Sequence, residues 1–276
     1  MKIRKRNRFL LLGIFLLSLT FFSRNNPHSA GQLIQIAGQG ESLRFAVIGD
    51  WGVKGKLQQK TVAKELNAQC QSKDFDFIIT TGDNFYPRGV ASIEDDHWKS
   101  SYEEIYQGPA LNIPWYPVLG NHDYGGNVAA QFEYSNKSES WTFPAKYYAI
   151  QHKLSNGLEV LMLFLDTTPF QDSYFEEGWF DEEIALDSTA QKEWMQKVLS
   201  QSDADWKLVF GHHTLYTGGM RAKEKPYVRM HLEKLFQEEG VDAYICGHEH
   251  DIQHIRPPGG VEYFVSGAAA MARPTG

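Results

Sequence analysis

Cysteine is nearly missing from this chain: Cys70 and Cys246 are the only two in 276 residues. Two thiols do not make a disulfide framework, so the fold has to rest on a hydrophobic core. In an oxidising compartment the pair would be able to bond, but Cys246 ends an apolar run, and a small buried hydrophobe is the favoured reading. The apolar run Phe9–Phe22 has 14 residues, against about 20 for a helix that spans a bilayer. Internal repeats and long low-complexity stretches are absent too, which excludes a solenoid. Positive charge is scarce beyond the N-terminus. Six of the 27 basic side chains lie in the first 30 residues, leaving 21 against 34 acids and a net of −13 for the rest. A groove that tracks nucleic-acid phosphates would need the opposite sign, so no nucleic-acid partner is expected.

The hydrophobic content of 42% and aromatic content of 13% suit a globular protein with a sizeable core. The basic start (Lys2, Arg4, Lys5, Arg6, Arg8) followed by Phe9–Phe22 reads as an export signal. Ala30 is the candidate last residue removed, but His28 sits where a small residue is preferred, so a retained signal anchor stays open. The expected organisation is 1–30 signal peptide or anchor, 31–42 linker and 43–276 one domain.

Five motifs carry the chemistry: Gly49-Asp50-Trp51-Gly52, Gly82-Asp83-Asn84-Phe85-Tyr86, Gly120-Asn121-His122-Asp123, Gly211-His212-His213 and Gly247-His248-Glu249-His250. Four of the five follow an apolar run that reads as a strand. A lone Gly-Asp is more often a turn than a ligand; five such motifs in order are a different matter. They supply carboxylates, a tyrosine, an amide and imidazoles, a donor set for two adjacent metal ions. The glycine before each motif is expected to permit a sharp turn. In an extended loop His248 and His250, two apart, would point the same way.

Strands and helices alternate around these motifs. Leu43–Ile48, Phe75–Thr80, Trp115–Leu119, Lys146–Ile150, Leu158–Leu165, Trp206–Phe210, Val241–Cys246, Ile252–Ile255 and Val261–Val265 read as strands. Leu57–Leu66, the mixed segment 94–107 and the stretch around Val228, His231, Leu232, Leu235 and Phe236 read as helical. Ser188 and Gln191 have capping-box spacing for a further helix with Trp194/Val198 and Met195/Leu199 on one face. Trp179, Phe180 and the acids Glu176, Glu177, Asp181, Glu182 and Glu183 suggest a loop with aromatic anchors, or a lid.

The motif series resembles the calcineurin-like metallophosphoesterase superfamily, and within it the small purple acid phosphatases of the tartrate-resistant (type 5) group. Two details select that branch. Position 52 is Gly, where most of the superfamily ends an Asp-x-His motif. Tyr86, three residues after Asp83, stands where this branch supplies the missing ligand. The resemblance runs from about Leu43 to about Ala270. It implies an α/β fold, a metallophosphoesterase-type β-sandwich of two mixed sheets flanked by helices. It also implies an acid phosphatase that hydrolyses small-molecule or phosphoprotein phosphomonoesters. Asp50, Asp83, Tyr86 and His250 would hold Fe(III). Asp83, Asn121, His212 and His248 would hold Fe(II), Zn or Mn, with Asp83 bridging. Metal-bound hydroxide would attack and His122 would assist the leaving group. Asn121, His122 and Arg221 would contact substrate, and Asp123 would either orient His122 or stabilise a turn. A monomer is expected, touching membrane only through an N-terminal anchor.

Two departures stand out. Mammalian members carry a further histidine where this chain has Arg221, a permanent cation that cannot serve as proton donor. Family members also usually continue past Gly276 with strands that complete a sheet. The readings kept beside the leading one are a Zn or Mn phosphodiesterase or nucleotidase of the same superfamily, and a membrane-anchored binding protein without catalysis.

Overall fold

The computed structural model describes residues 31–37, 40–178 and 182–274. The signal expected over 1–30 and the anchors Trp179, Phe180 and Asp181 lie outside the described residues. Among those described, no helix is long and apolar enough to cross a membrane.

Among the described residues, ten strands form two sheets. They are β1 Gln32–Ala37, β2 Phe45–Ile48, β3 Phe77–Thr80, β4 Trp115–Pro117, β5 Tyr148–Lys153, β6 Glu159–Phe164, β7 Trp206–Phe210, β8 Ala243–Cys246, β9 Ile252–Ile255 and β10 Glu262–Ser266. The larger sheet has the order β1-β5-β6-β7-β8-β10-β9 and the smaller β2-β3-β4. The larger is mixed: β5 pairs β6, and β10 pairs β9, antiparallel, while its other pairings are parallel. The smaller is parallel throughout. The helices are α1 Gln59–Lys73, α2 Asp96–Trp98, α3 Val128–Glu133, α4 Ser173–Glu176, α5 Glu182–Ser200 and α6 Tyr227–Glu238.

The alternation of β6 shows how the layers are assembled. Val160, Met162 and Phe164 face the smaller sheet, while Leu161 and Leu163 face the helices, so every second side chain enters a different core. Between the sheets, Phe45 meets Phe210 edge-on at 6.0 Å and Tyr116 meets Phe164 at 6.0 Å. On the outer face, Met195 and Leu199 of α5 and Val228, Leu232, Leu235 and Phe236 of α6 close a second core. Full burial of each such side chain is worth about 1.5–3 kcal/mol.

Three expectations change. Residues 31–42 are not simply a linker, because β1 pairs β5 in parallel at the sheet edge. Ser188 lies inside α5 rather than at its start, and Gln191 is not a capping residue. Its buried amide instead accepts from Asp166 N–H (3.0 Å) and donates to the Asp166 carbonyl (2.8 Å). The mixed segment 94–107 contains two short helical turns, α2 and the wider turn Lys99–Glu103. Both cysteines are buried and unpaired.

Candidate metal centre

All five motifs lie just beyond the carboxyl ends of strands, three on the smaller sheet (β2, β3, β4) and two on the larger (β7, β8). Parallel strands open their carboxyl ends on one side, which is where a crevice forms in α/β sheets. The ligand-bearing loops turn more sharply than expected, and the turn falls on the ligands themselves. Asp50, Asp83 and His248 have φ of 59°, 50° and 67°. Among the motif glycines only Gly82 shares a positive φ. Such left-handed residues cost roughly 1–3 kcal/mol each and persist where surroundings enforce them. Here Asp50 N–H donates to the Gly82 carbonyl (3.1 Å), and Asp50 Oδ2 accepts His248 N–H (2.9 Å). Gly247 mainly gives room: a Cβ there would meet Asp50 Oδ2 at 2.5 Å.

The donor atoms gather in two groups that share Asp83. In the first, Tyr86 Oη lies 2.9 Å from Asp50 Oδ1, 2.8 Å from Asp83 Oδ2 and 3.2 Å from His250 Nε2. In the second, His212 Nε2 lies 3.2 Å from Asn121 Oδ1, 3.1 Å from His248 Nδ1 and 3.5 Å from Asp83 Oδ2. The His248–His250 loop is not extended, so the two rings serve opposite groups rather than pointing together. All seven residues singled out as metal ligands therefore meet.

The second group fits a cation on chemical grounds. His212 Nδ1–H donates to the Thr81 carbonyl (2.8 Å), which leaves Nε2 with a bare lone pair. That lone pair faces an amide oxygen, a carboxylate oxygen and a second imidazole nitrogen. Ligands bound at about 2.0–2.2 Å around one ion sit about 3–3.5 Å from each other, the spacing found here. Asp50, Asp83 and His212 form one cluster of donor atoms within 4.8 Å of one another, and His212, His213 and His248 another.

The comparisons with known proteins point the same way. The family described as calcineurin-like phosphoesterase matches residues 43–251. Purple acid phosphatase 3 of Arabidopsis thaliana is 32% identical over 273 residues, 95% of this chain and 73% of that protein. Tartrate-resistant acid phosphatase type 5 of Mus musculus is 34% identical over 245 residues, 85% of this chain and 74% of that protein. The chain belongs to the calcineurin-like phosphoesterases, as a purple acid phosphatase relative. Among solved structures, GAP50 of Plasmodium, described as the anchor in the inner membrane complex, matches with a TM-score of 0.71 at 24% identity, covering 85% of this chain and 75% of that one. A dimetal phosphatase from Danio rerio matches with a TM-score of 0.54 at 12% identity, covering 83% and 88%. Both likenesses concern the fold. Membership makes this chain a phosphomonoester hydrolase with a dinuclear metal centre.

Without a cation, this phosphoesterase centre is electrostatically unfavourable. Burial pushes the Asp50 carboxyl up to about 8 and holds the Tyr86 phenol well above its ordinary value. Burial also drives His248 well below, and His250 down to about 4. A cation inverts this logic by favouring the anionic and neutral donor forms. The sign follows for metal uptake. At pH 6.5 the empty site keeps a proton on Asp50, whose value lies above that pH, and on Tyr86. Loading is therefore expected to release a proton from each, and apparent metal affinity to rise with pH, more steeply below about 8 than above it, where the Tyr86 proton is the one still displaced. Potentiometric titration of metal-stripped protein checks this; uptake without proton release contradicts it.

The cleft over the centre is a cavity of about 620 Å³ whose lining includes Asn121, His122, Tyr174, Arg221 and His248. His122 is partly exposed, and its Nδ1–H donates to the Pro87 carbonyl (2.7 Å). Its Nε2 lies 3.9 Å from Asp83 Oδ2, on the side of the centre. Arg221 lines the cavity; its Nη1 is 3.0 Å from Glu224 Oε1, and its Nε is buried without a partner among the described residues. Glu176 and Glu177, read as part of a loop with aromatic anchors or of a lid, line the same cavity, Glu176 from the end of α4 rather than from a loop.

Asp123 stabilises a turn rather than orienting His122. It accepts N–H groups from Asn84 (3.1 Å), Phe85 (3.2 Å) and Gly120 (2.8 Å), tying the second motif to the third. Sequence reasoning overlooked Asn84, which joins three motifs. Its Oδ1 accepts from Trp51 Nε1 (3.2 Å) and Thr80 Oγ1 (2.6 Å), and its Nδ2 donates to the Val118 carbonyl (2.8 Å). Thr81 and Thr167 were missed as well, because a hydroxyl or carbonyl that supports a ligand carries no sequence signature of its own.

Proposed function

We propose that this chain is an exported acid phosphatase whose two cations differ. Fe(III) would be held by Asp50, Asp83, Tyr86 and His250, and Fe(II), Zn or Mn by Asp83, Asn121, His212 and His248. The observation that carries the reading is the phenol of Tyr86 standing within 2.9 Å of two carboxylates. A phenolate is a hard, anionic donor and suits a trivalent ion. Bound there, two cations would clamp and neutralise phosphate oxygens and acidify water.

The protein's own groups supply the rest. With Nδ1–H fixed on the Pro87 carbonyl, Nε2 of His122 is the atom that carries or gives a proton beside the leaving oxygen. Arg221, a permanent cation on the cleft wall, attracts the phosphate but moves no proton. Asn121 reaches the cleft with its amide, next to His212.

Metal analysis combined with a visible spectrum of the pure protein tests this. Wild type is expected to contain iron and to absorb broadly in the visible. Tyr86→Phe is expected to lose that band together with most of the phosphatase activity. A colourless, iron-free wild type that hydrolyses phosphodiesters would instead favour the Zn or Mn phosphodiesterase reading.

A further inference from the structure

Resting on the phosphatase reading above, we infer that Glu249, between the two histidines of the last motif, is a positioning residue: it holds the main chain of the loop 217–221 and so sets where Arg221 stands in the cleft. Glu249 is 1% exposed, a buried carboxyl group that the chemistry above does not use. Its neighbours His248 and His250 serve opposite donor groups, whereas Glu249 belongs to neither cluster of donor atoms found among the described residues. Its Oε2 instead accepts the Arg221 N–H at 2.9 Å and the Thr217 hydroxyl at 3.4 Å.

The fit between loop and carboxyl group is steric as well as polar. Gly219 is buried against the Glu249 side chain: a Cβ there would meet Glu249 Cδ at 2.6 Å and Cγ at 2.7 Å. Inside the loop, Gly219 N–H donates to Thr217 Oγ1 (2.9 Å). The start of the loop is tied to β9, where Gln253 Oε1 accepts Gly218 N–H (2.8 Å) and the Gln253 amide donates to Asp251 Oδ1 (2.7 Å). Gln253 thus secures the beginning of the loop, and Glu249 secures its end, where the Arg221 side chain departs.

Arg221 is thereby held at both ends. Glu249 fixes its amide, and Glu224 Oε1 holds its Nη1 at 3.0 Å. A long side chain fixed in advance gives up less rotamer freedom when an anion arrives. Without the Glu249 acceptor the Arg221 main chain can shift, and there is room for it: a cavity of about 170 Å³ adjoins the cleft, and Arg221 and His248 line both. A hydrogen bond tolerates only roughly half an ångström of stretch, so a small shift of the guanidinium loses the phosphate. One motif therefore serves two ends, its histidines holding ions and its carboxyl group placing the cation that meets the substrate.

The test uses metal-loaded full-length protein, 4-nitrophenyl phosphate as substrate and inorganic phosphate as competitive inhibitor. Glu249→Ala is expected to raise both KM and the inhibition constant for phosphate about fivefold, with kcat nearly unchanged and bound metal the same. Glu249→Gln keeps an acceptor oxygen at the same reach and is expected to restore both constants to within about twofold of wild type. Arg221→Met raises the same two constants, and adding Glu249→Ala to it should raise them no further, because the carboxyl group acts through Arg221. If Glu249→Ala does not fold, Gly219→Ala replaces it, since its Cβ displaces the Glu249 side chain, and should behave alike in both backgrounds. The inference is overturned if the Glu249 and Arg221 effects multiply, if Glu249→Gln is as impaired as Glu249→Ala, or if Glu249→Ala loses metal. A wild type that binds two metals yet hydrolyses nothing would instead sink the phosphatase reading, and calorimetric binding of inorganic phosphate to the same variants would then decide the role of Glu249.

Discussion

Asp83→Asn is expected to lower kcat/KM for phosphomonoesters by about 1,000-fold or more while the protein stays folded. Asparagine is nearly the same shape, and it tolerates the left-handed backbone that Asp83 adopts at φ 50°. Its side-chain oxygen can still accept His122 N–H, which Asp83 Oδ1 does at 2.9 Å. What changes is the other position. Asp83 Oδ2 stands 2.8 Å from Tyr86 Oη and 3.5 Å from His212 Nε2, so it is the one atom that faces both donor groups. The substitution puts an NH₂ there, a donor where both ions need an anionic acceptor. Steady-state kinetics and metal counts on the same preparation check the outcome. A variant that keeps two ions and a tenth of wild-type activity would show that Asp83 is no bridge.

Gly52→Ala is expected to destabilise the fold by about 3 kcal/mol or more, enough to leave little soluble, active protein. A Cβ at that position would lie 1.8 Å from the Asn84 carbonyl oxygen, 2.8 Å from its carbon and 3.1 Å from the Phe85 Cα. All three are backbone atoms, so no rotamer change relieves the clash. The loops cannot simply part either, because Tyr86 N–H donates to the Gly52 carbonyl (2.8 Å) and Trp51 N–H to the Asp83 carbonyl (3.3 Å). Trp51, fully buried, also packs edge-on against Tyr106 at 5.4 Å and near Trp115 at 6.1 Å. Gly157→Ala serves as comparison, since its φ is 88° but nothing lies within 4 Å. Its cost should be only about 1–2 kcal/mol, the ordinary penalty for a left-handed alanine. Thermal and urea unfolding of both variants decide. Equal, small effects would mean the first two loops are looser than drawn.

The glycine at 52 therefore has a steric meaning that the sequence only half disclosed. Read from the sequence, it marked a ligand missing from the first loop and made good by Tyr86. In the fold, the space for any side chain at 52 is taken by the backbone that delivers Tyr86. The two positions belong to one decision about how tightly the first two loops pack.

The convergence of the seven candidate ligands was legible because each follows a strand whose apolar run announces it, and because Asp, Tyr, Asn and His in that order match few other chemistries. Other features were not. In β1 it is Gln32, Ile34 and Ile36 that lean inward while Leu33 and Ala37 face out, so hydrophobicity does not mark the buried side. Its partner β5 begins more than a hundred residues later. The start of α5 was misplaced because Ser188 and Gln191 imitate a cap, whereas the demand on Gln191 comes from Asp166 on another element. The left-handed turns at Asp50, Asp83 and His248 are imposed by tertiary hydrogen bonds, which local propensity does not encode.

The seven candidate ligands come from both layers. Asp50, Asp83, Tyr86 and Asn121 are carried by the smaller sheet, and His212, His248 and His250 by the larger, with Asp50 and His248 separated by 198 positions in the chain. Neither layer alone can grip either ion, since each donor group draws on both. The ions would thus act as rivets between the early and late halves of the polypeptide. Catalytic competence would arise only in molecules whose two halves have closed, and prying the layers apart would cost the protein its cargo before its shape.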